Sequence, residues 1–111
     1  MNDSLYKEIT IVLVLYEEDF KLINQCLENI KNFNIVIIDN AGNKKLKQKI
    51  NKKFNIIEYV LNPKNVGYSK AVNQGINLCL TDYVFVYQAD CIMSVKSIEI
   101  LLSAHKKYDN C

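Results

Sequence analysis

Residues 34–43 read Asn34-Ile35-Val36-Ile37-Ile38-Asp39-Asn40-Ala41-Gly42-Asn43. Four consecutive β-branched aliphatic residues leave neither face for water. That suits a strand buried on both sides, as in a parallel sheet. The run ends on a carboxylate, followed by Asn and Gly, which favour a turn. The segment therefore predicts a short buried strand over 35–38 with a polar loop at its C-terminal end.

The chain on either side repeats this plan. Upstream, Ile9 to Leu15 is a nearly continuous β-branched and aliphatic run. Tyr16-Glu17-Glu18-Asp19 follows it, then Phe20, Ile23, Leu27 and Ile30 at helical spacing with Cys26 beside them. The acidic residues are expected in the first helical turn, where the helix dipole favours them. Downstream, Leu46, Ile50 and Phe54 recur every four residues in a Lys-rich surface helix. Ile56 to Leu61 predicts a third strand, and Asn62-Pro63-Lys64-Asn65 breaks structure. Gly67 to Leu80 is the clearest helix, with Ala71, Val72, Gly75, Ile76, Cys79 and Leu80 as one apolar stripe. The small residues Ala71 and Gly75 would let it pack closely on the sheet. Tyr83 to Tyr87 predicts a fourth strand. Ser94 to Lys107 predicts a last helix, capped by Ser94.

This β-α-β-α-β-α-β-α order implies an α/β fold with a mostly parallel sheet and helices on both faces. Right-handed crossovers put every strand's C-terminal end on one edge, where open α/β sheets bind ligands. Glu17, Asp39, Asn40, Asn65 and Asp90 all follow strand ends. Asp39 can accept hydrogen bonds from a nucleobase N–H or ribose hydroxyls. It can equally close an Asx turn with its own backbone. Asn65-Val66-Gly67 opens a helix whose N-terminal N–H groups, with Lys70, could meet an anion. The alternative is a capped helix with a surface lysine. Asp90 can hold Mg²⁺ or Mn²⁺, or simply precede a helix.

The 111 residues suffice for one domain, 1–111. The net charge of +2 gives no argument for a nucleic-acid partner. The four cysteines, Cys26, Cys79, Cys91 and Cys111, form no C-x-x-C pair and fit no zinc spacing. Cys26 and Cys79 read as buried free thiols on helix faces, consistent with a reducing compartment. No signal peptide or membrane-length apolar run stands out. The first-strand loop has no Gly, so the dinucleotide G-x-G-x-x-G is excluded, and no Walker A loop occurs. His105 is the single histidine, which argues against a Ser/His/Asp triad.

Ile9–Asp19, Asn34–Asn43, Leu61–Ile76 and Asp82–Asp90 together resemble the family 2 glycosyltransferases of GT-A fold, especially the rhamnosyltransferase-like branch. The resemblance runs from Ile9 to about the final helix. It implies a Rossmann-like, nucleotide-sugar-binding donor half. It also implies inverting transfer from a nucleoside diphosphate sugar to an acceptor hydroxyl, with a divalent metal, in cell-surface polysaccharide or glycoconjugate synthesis. Carried onto these positions, Asp39 contacts the nucleobase or ribose and Asn40 shapes its loop. Asn65, Gly67 and Lys70 line the nucleotide pocket, and Asp90 meets the metal and diphosphate.

Three positions depart from the family pattern. Glu17 stands where Asn is usual, Ala41-Gly42-Asn43 replaces a Ser- and Asp-bearing loop, and Gln88 replaces the first Asp of the metal motif. The resemblance implies a UDP-, dTDP- or GDP-sugar donor, and a glycan or lipid-linked acceptor. It further implies a cytoplasmic location, or one at the inner membrane face. The family's general base and acceptor region lie further along the chain than these 111 residues. The sequence is thus expected to be truncated, to expose a sheet edge, and to self-associate. A non-catalytic nucleotide-sugar-binding module and an inactive remnant are the alternatives.

Overall fold

The structure, a computed structural model, describes residues 6–89. Asp90, Cys91, His105 and the helix expected from Ser94 lie outside the described residues. Seven elements follow in order: β1 (Ile9–Leu15), α1 (Phe20–Ile30), β2 (Asn34–Asp39), α2 (Lys44–Lys53), β3 (Glu58–Leu61), α3 (Tyr68–Asn77) and β4 (Tyr83–Gln88). The strands form one sheet in the order β3-β2-β1-β4, and every neighbouring pair is parallel.

Side-chain alternation along the strands builds two apolar layers. Ile9, Ile11, Leu13 and Leu15 of β1 join Ile35 and Ile37 of β2 on one face. That face is covered by Ile23, Leu27 and Ile30 of α1, by Ile50 of α2 and by Phe54 just beyond it. Val12, Val14, Val36 and Ile38 point the other way and meet Ala71 of α3. All seven residues of β1 are buried, as an interior strand covered on both faces must be.

The connections fix where a ligand can enter. From β1 to β2 to β3 the chain steps in one direction, with α1 and α2 on one face. It then crosses back over the opposite face through α3 and pairs β4 beside β1. Crossovers of one hand require helices on opposite faces when the direction reverses. The reversal opens a crevice between the C-terminal ends of β1 and β4.

Gly75 explains how α3 approaches so closely. A Cβ placed there would overlap Val12 Cγ1 and lie 3.2 Å from Cγ2. Ala71, one turn earlier, is fully buried. Beneath the far end of α3, the Thr81 hydroxyl donates to Tyr83 C=O at 3.0 Å. The Thr10 hydroxyl therefore donates to Thr81 Oγ1 at 2.7 Å, which satisfies a buried polar group on β1.

Some sequence expectations need correcting. α3 ends at Asn77, with the Leu78 N–H bonded to Gly75 C=O, so the expected stripe runs past the helix. Leu80 is 99% exposed and Ile76 is 42% exposed; neither belongs to the inward face. Cys79 also lies beyond the helix and is only half-buried, whereas Cys26 on α1 is buried as expected. Glu17 and Glu18 precede α1, and Asp19 occupies its N-cap without a side-chain cap bond. The first turn of α1 carries no acid. Among the described residues no helix is long and apolar enough to cross a membrane.

Candidate functional site

A cleft of about 500 Å³ lies where the strand order reverses. Val14, Leu15, Tyr16 and Glu18 of the β1 exit form one wall. Leu22 of α1 also lines it, and Asn40, Asn65, Gly67, Tyr68 and Gln88, each at or beyond another strand's end, form the rest. A second hollow of about 510 Å³ sits against α2 and Leu61 at the outer edge of β3. It lies two strands from the reversal, where the topology supplies no convergent loops.

The β1 exit is held by its own side chain. Glu17 adopts φ 59°, a left-handed conformation that a residue with a Cβ enters at a cost of roughly 1–2 kcal/mol. The following Glu18 carboxylate accepts the Tyr16 N–H, with Oε2 at 3.1 Å. This bond closes the loop and turns a negative group into the cleft wall. Tyr16 is left 49% exposed.

At the β2 exit, Asp39 is 1% exposed and heavily bonded. Its Oδ1 accepts the Ala41 N–H at 2.9 Å. Its Oδ2 accepts the Asn43 N–H at 3.1 Å and the Tyr59 hydroxyl at 2.9 Å. The Asx-type alternative is therefore realised in full. A carboxylate offers about four acceptor positions, and three are taken. The Tyr59 phenol is correspondingly pushed up from its ordinary pKa, first by burial and then by the Asp39 carboxylate it donates to. Gly42 takes φ +59°, and a Cβ there would come within 2.6 Å of Asn62 C=O. Only glycine lets the β2 and β3 exits cross so closely.

The β3 exit presents the helix start. The Asn65 side chain accepts the Gly67 N–H at 2.8 Å. Gly67 sits at φ +89° as the N-cap of α3 and brings no side-chain cap. The first-turn N–H groups of α3 therefore open next to the cleft, a setting that favours an anion. Lys70 is exposed on the first turn of α3 and does not line the cleft. Of the residues nominated from sequence, Asn40, Asn65 and Gly67 converge on the cleft. Asp39 lies behind its Asn40 wall, and Asp90 is outside the described residues.

Three residues went unnoticed in the sequence as site elements: Tyr59, Asn62 and Gln74. Asn62 is 5% exposed, and its N–H donates to Asp39 C=O at 2.9 Å. Its side-chain amide donates to Asn40 Oδ1 at 2.9 Å and to Gln74 Oε1 at 2.8 Å, and accepts from Gln74 Nε2 at 3.0 Å. One signal was available: Asn62 directly follows a strand just as Asn40 does. Tyr59 and Gln74 read as ordinary strand and helix residues.

Comparison with known proteins bears on the family and the fold. The family model of glycosyl transferase family 2 matches residues 10–111. An uncharacterised glycosyltransferase of Methanocaldococcus jannaschii is 27% identical over 100 residues, covering 82% of this chain and 34% of that protein. The chain thus spans about a third of that curated relative. Among solved structures, S. aureus TarS 1-349 superposes with a TM-score of 0.73 at 14% identity, covering 92% of this chain and 33% of that one. A second crystal structure of S. aureus TarS gives 0.71 at 15% identity, covering 90% and 20%. These two likenesses concern the fold, an α/β Rossmann-like parallel sheet. With the family match extending over nearly all its length, the chain belongs to glycosyl transferase family 2.

Proposed function

We propose that the cleft between β1 and β4 binds a nucleoside diphosphate sugar, as the donor half of an inverting glycosyltransferase. The observation that carries this reading is the convergence of Asn40, Asn65 and Gly67 on one cleft at the topological reversal. The uncapped start of α3 gives the diphosphate a set of N–H donors, with Lys70 on the same turn adding positive charge. Tyr16 and Tyr68, each about half exposed on the cleft wall, offer ring faces to a base or sugar. Asp39 acts on the base or ribose through the loop it organises. The acceptor is a hydroxyl of a glycan or lipid-linked glycan, and a deoxyhexose such as rhamnose fits the branch the sequence resembles. The setting we propose is cell-surface polysaccharide or glycoconjugate assembly on the cytoplasmic side.

A divalent metal would neutralise charge on the departing diphosphate. Among the described residues no three His, Cys, Asp or Glu side chains converge on a metal-sized site. Glu18, the described carboxylate of the cleft wall, already accepts the Tyr16 N–H. Mg²⁺ or Mn²⁺ therefore rests on Asp90 and the ligand's own phosphates in this proposal, and no step is derived through it. No described residue is assigned as general base. A second reading is nucleotide-sugar binding without turnover, in which Glu18 serves to close the β1 exit through its bond to the Tyr16 N–H.

Calorimetric titration of UDP-, dTDP- and GDP-sugars with Mn²⁺ tests the proposal on the wild type, Asp39→Ala and Asp90→Ala. Saturable binding of one donor, weakened in both variants, is expected. Silence across all three donors refutes donor binding. Affinity indifferent to Asp90→Ala removes the metal assignment. Measurable sugar transfer to a glycan acceptor by these 111 residues would refute the second reading.

A further inference from the structure

Lys44, Lys45, Lys47, Lys49, Lys52 and Lys53 put six of the chain's 14 lysines on α2, a helix of 10 residues without an acid. All 12 acids lie elsewhere, against eight lysines. The near-balanced total therefore conceals a cationic helix on an otherwise anionic chain. This charge works against the helix itself. Lys44 and Lys45 open its first turn, where the helix dipole disfavours cations. Lys45, Lys49 and Lys53 follow at intervals of four, and like charges at that spacing repel. The relief is partial. Lys53 Nζ reaches Glu28 at 3.4 Å, and Lys47 and Lys49 lie over the rings of Tyr59 and Phe20 at 6.0 and 3.8 Å. Lys44, Lys45 and Lys52 are exposed and meet no carboxylate among the described residues.

The hollow of about 510 Å³ beside α2 gathers part of this charge. Lys44, Lys47 and Lys52 line it, with the amides of Gln48 and Asn51 and the flank of Leu61. Each polar side chain there can donate a hydrogen bond, and none is a carboxylate. We propose that the hollow and the exposed side of α2 dock the chain onto an anionic phospholipid surface, with a headgroup phosphate in the hollow. Charge complementarity argues for that occupant. Lysines act as flexible point charges, which suits a fluid array of phosphates, whereas a planar, fixed partner is better held by Arg, which this chain lacks. A single-stranded nucleic acid would need ring faces to stack on, and Phe54 and Tyr59 beside these lysines are buried. An acidic peptide would need an apolar anchoring pocket, and Leu61 is the one apolar residue among the six that line the hollow. A second copy pairing through the same face would set like charge against like. The inference stands on α2 and does not depend on what the cleft binds.

Co-sedimentation of the 111-residue chain with vesicles tests the proposal. The vesicles are phosphatidylcholine alone, or phosphatidylcholine with about a third phosphatidylglycerol to supply negative surface potential. Wild type is expected to bind the anionic vesicles at least about tenfold more tightly at about 0.1 M salt, and to lose that preference at about 1 M. Lys44→Gln, Lys47→Gln and Lys52→Gln combined should weaken the binding about tenfold or more, since each lysine at such a surface contributes severalfold. Lys7→Gln, Lys21→Gln and Lys64→Gln combined remove the same charge away from α2, and should weaken it by less than about threefold. Equal losses from the two triple variants would overturn the assignment to α2. A thermal melt keeps folding apart from docking. The α2 variant relieves repulsion within the helix, so it should melt no lower than wild type. If it fails to fold, wild type carries the test through a paramagnetic headgroup label in the anionic vesicles. The label should broaden the amide signals of Lys44 to Lys53 more than those of α1 and α3, and broadening centred elsewhere would overturn the proposal. Indifference of wild type to the anionic vesicles overturns it too, including the case in which inorganic phosphate alone shifts the Lys44 and Lys52 signals.

Discussion

The two faces of the sheet are built to different standards. On one, α1 and α2 close over Ile9, Ile11, Leu13, Leu15, Ile35 and Ile37, and the large aliphatics are sealed. On the other, among the described residues, α3 with its Ala71 covers a thinner layer of valines and Ile38. There Val86 stays 38% exposed and Ile76 42% exposed. The first face gains its stability from volume. The second depends on how near one helix comes, set by Gly75 against Val12, and on where Asn62 and Gln74 pin that helix to the strand ends. The cleft belongs to the second arrangement, because Gly67 and Tyr68 begin the same helix.

Leu13→Ala should break the first face most. Leu13 is fully buried, and the truncation is expected to cost about 2–5 kcal/mol in a urea melt. A loss below about 1 kcal/mol would contradict the assignment of that face as the main store of stability. Gly75→Ala probes the second. The added methyl gains helix propensity of about 1 kcal/mol but overpacks Val12 at about 1–3 kcal/mol, so a net loss of about 1 kcal/mol is expected. A more stable variant would show that α3 can stand further from β1 than described.

Tyr59→Phe sits between the faces and the site. It leaves Asp39 Oδ2 with the Asn43 N–H as its remaining partner, at a cost of about 1–2 kcal/mol near neutral pH. Tyr59's raised pKa fixes the sign of a pH effect. Its stabilising contribution is fully present below the ordinary phenol value of 10.0, where folded and unfolded chains both hold the proton. Above that the unfolded chain ionises first, so stability falls as pH rises toward the folded value. Tyr59→Phe should flatten that alkaline slope in melts from pH 9 to pH 11, and an unchanged slope would place its cause elsewhere. The smallest effect is expected on the surface of the first face. The bond from Lys31 Nζ to Glu28 at 3.2 Å holds the Glu28 carboxyl below its ordinary value, with Lys53 adding at 3.4 Å. That contribution is present above the ordinary carboxylate value and is lost as pH falls through the lowered one. The pair is solvent-exposed, so Lys31→Ala should leave the neutral-pH melt within error.

Much of the fold was legible because burial on both faces writes itself as nearly continuous aliphatic and β-branched runs. β1 matches its apolar run at both ends, and β2 extends its run by one residue on each side. The parallel order follows from alternation alone. The end of α3 was less legible, since Cys79 and Leu80 continue the apolar spacing after the helix has stopped. The site was half legible. Asn40, Asn65 and Gly67 announce themselves as polar or glycine residues just beyond strands. Asp39 announced itself too, but its sequence could not say that Ala41, Asn43 and Tyr59 would occupy most of its acceptor positions. Tyr59 and Gln74 act across 20 and 12 residues of separation, a distance that local pattern does not encode.

The central claim is that the crevice between β1 and β4 holds a nucleoside diphosphate sugar. Amide chemical-shift mapping of the ¹⁵N-labelled chain, titrated with UDP-, dTDP- and GDP-sugars, tests it most directly. One donor should produce saturable shifts greatest at Asn40, Gly67, Tyr68 and Gln88. Shifts confined to the Lys44–Lys52 hollow against α2, or no shifts with any of the three, would contradict it.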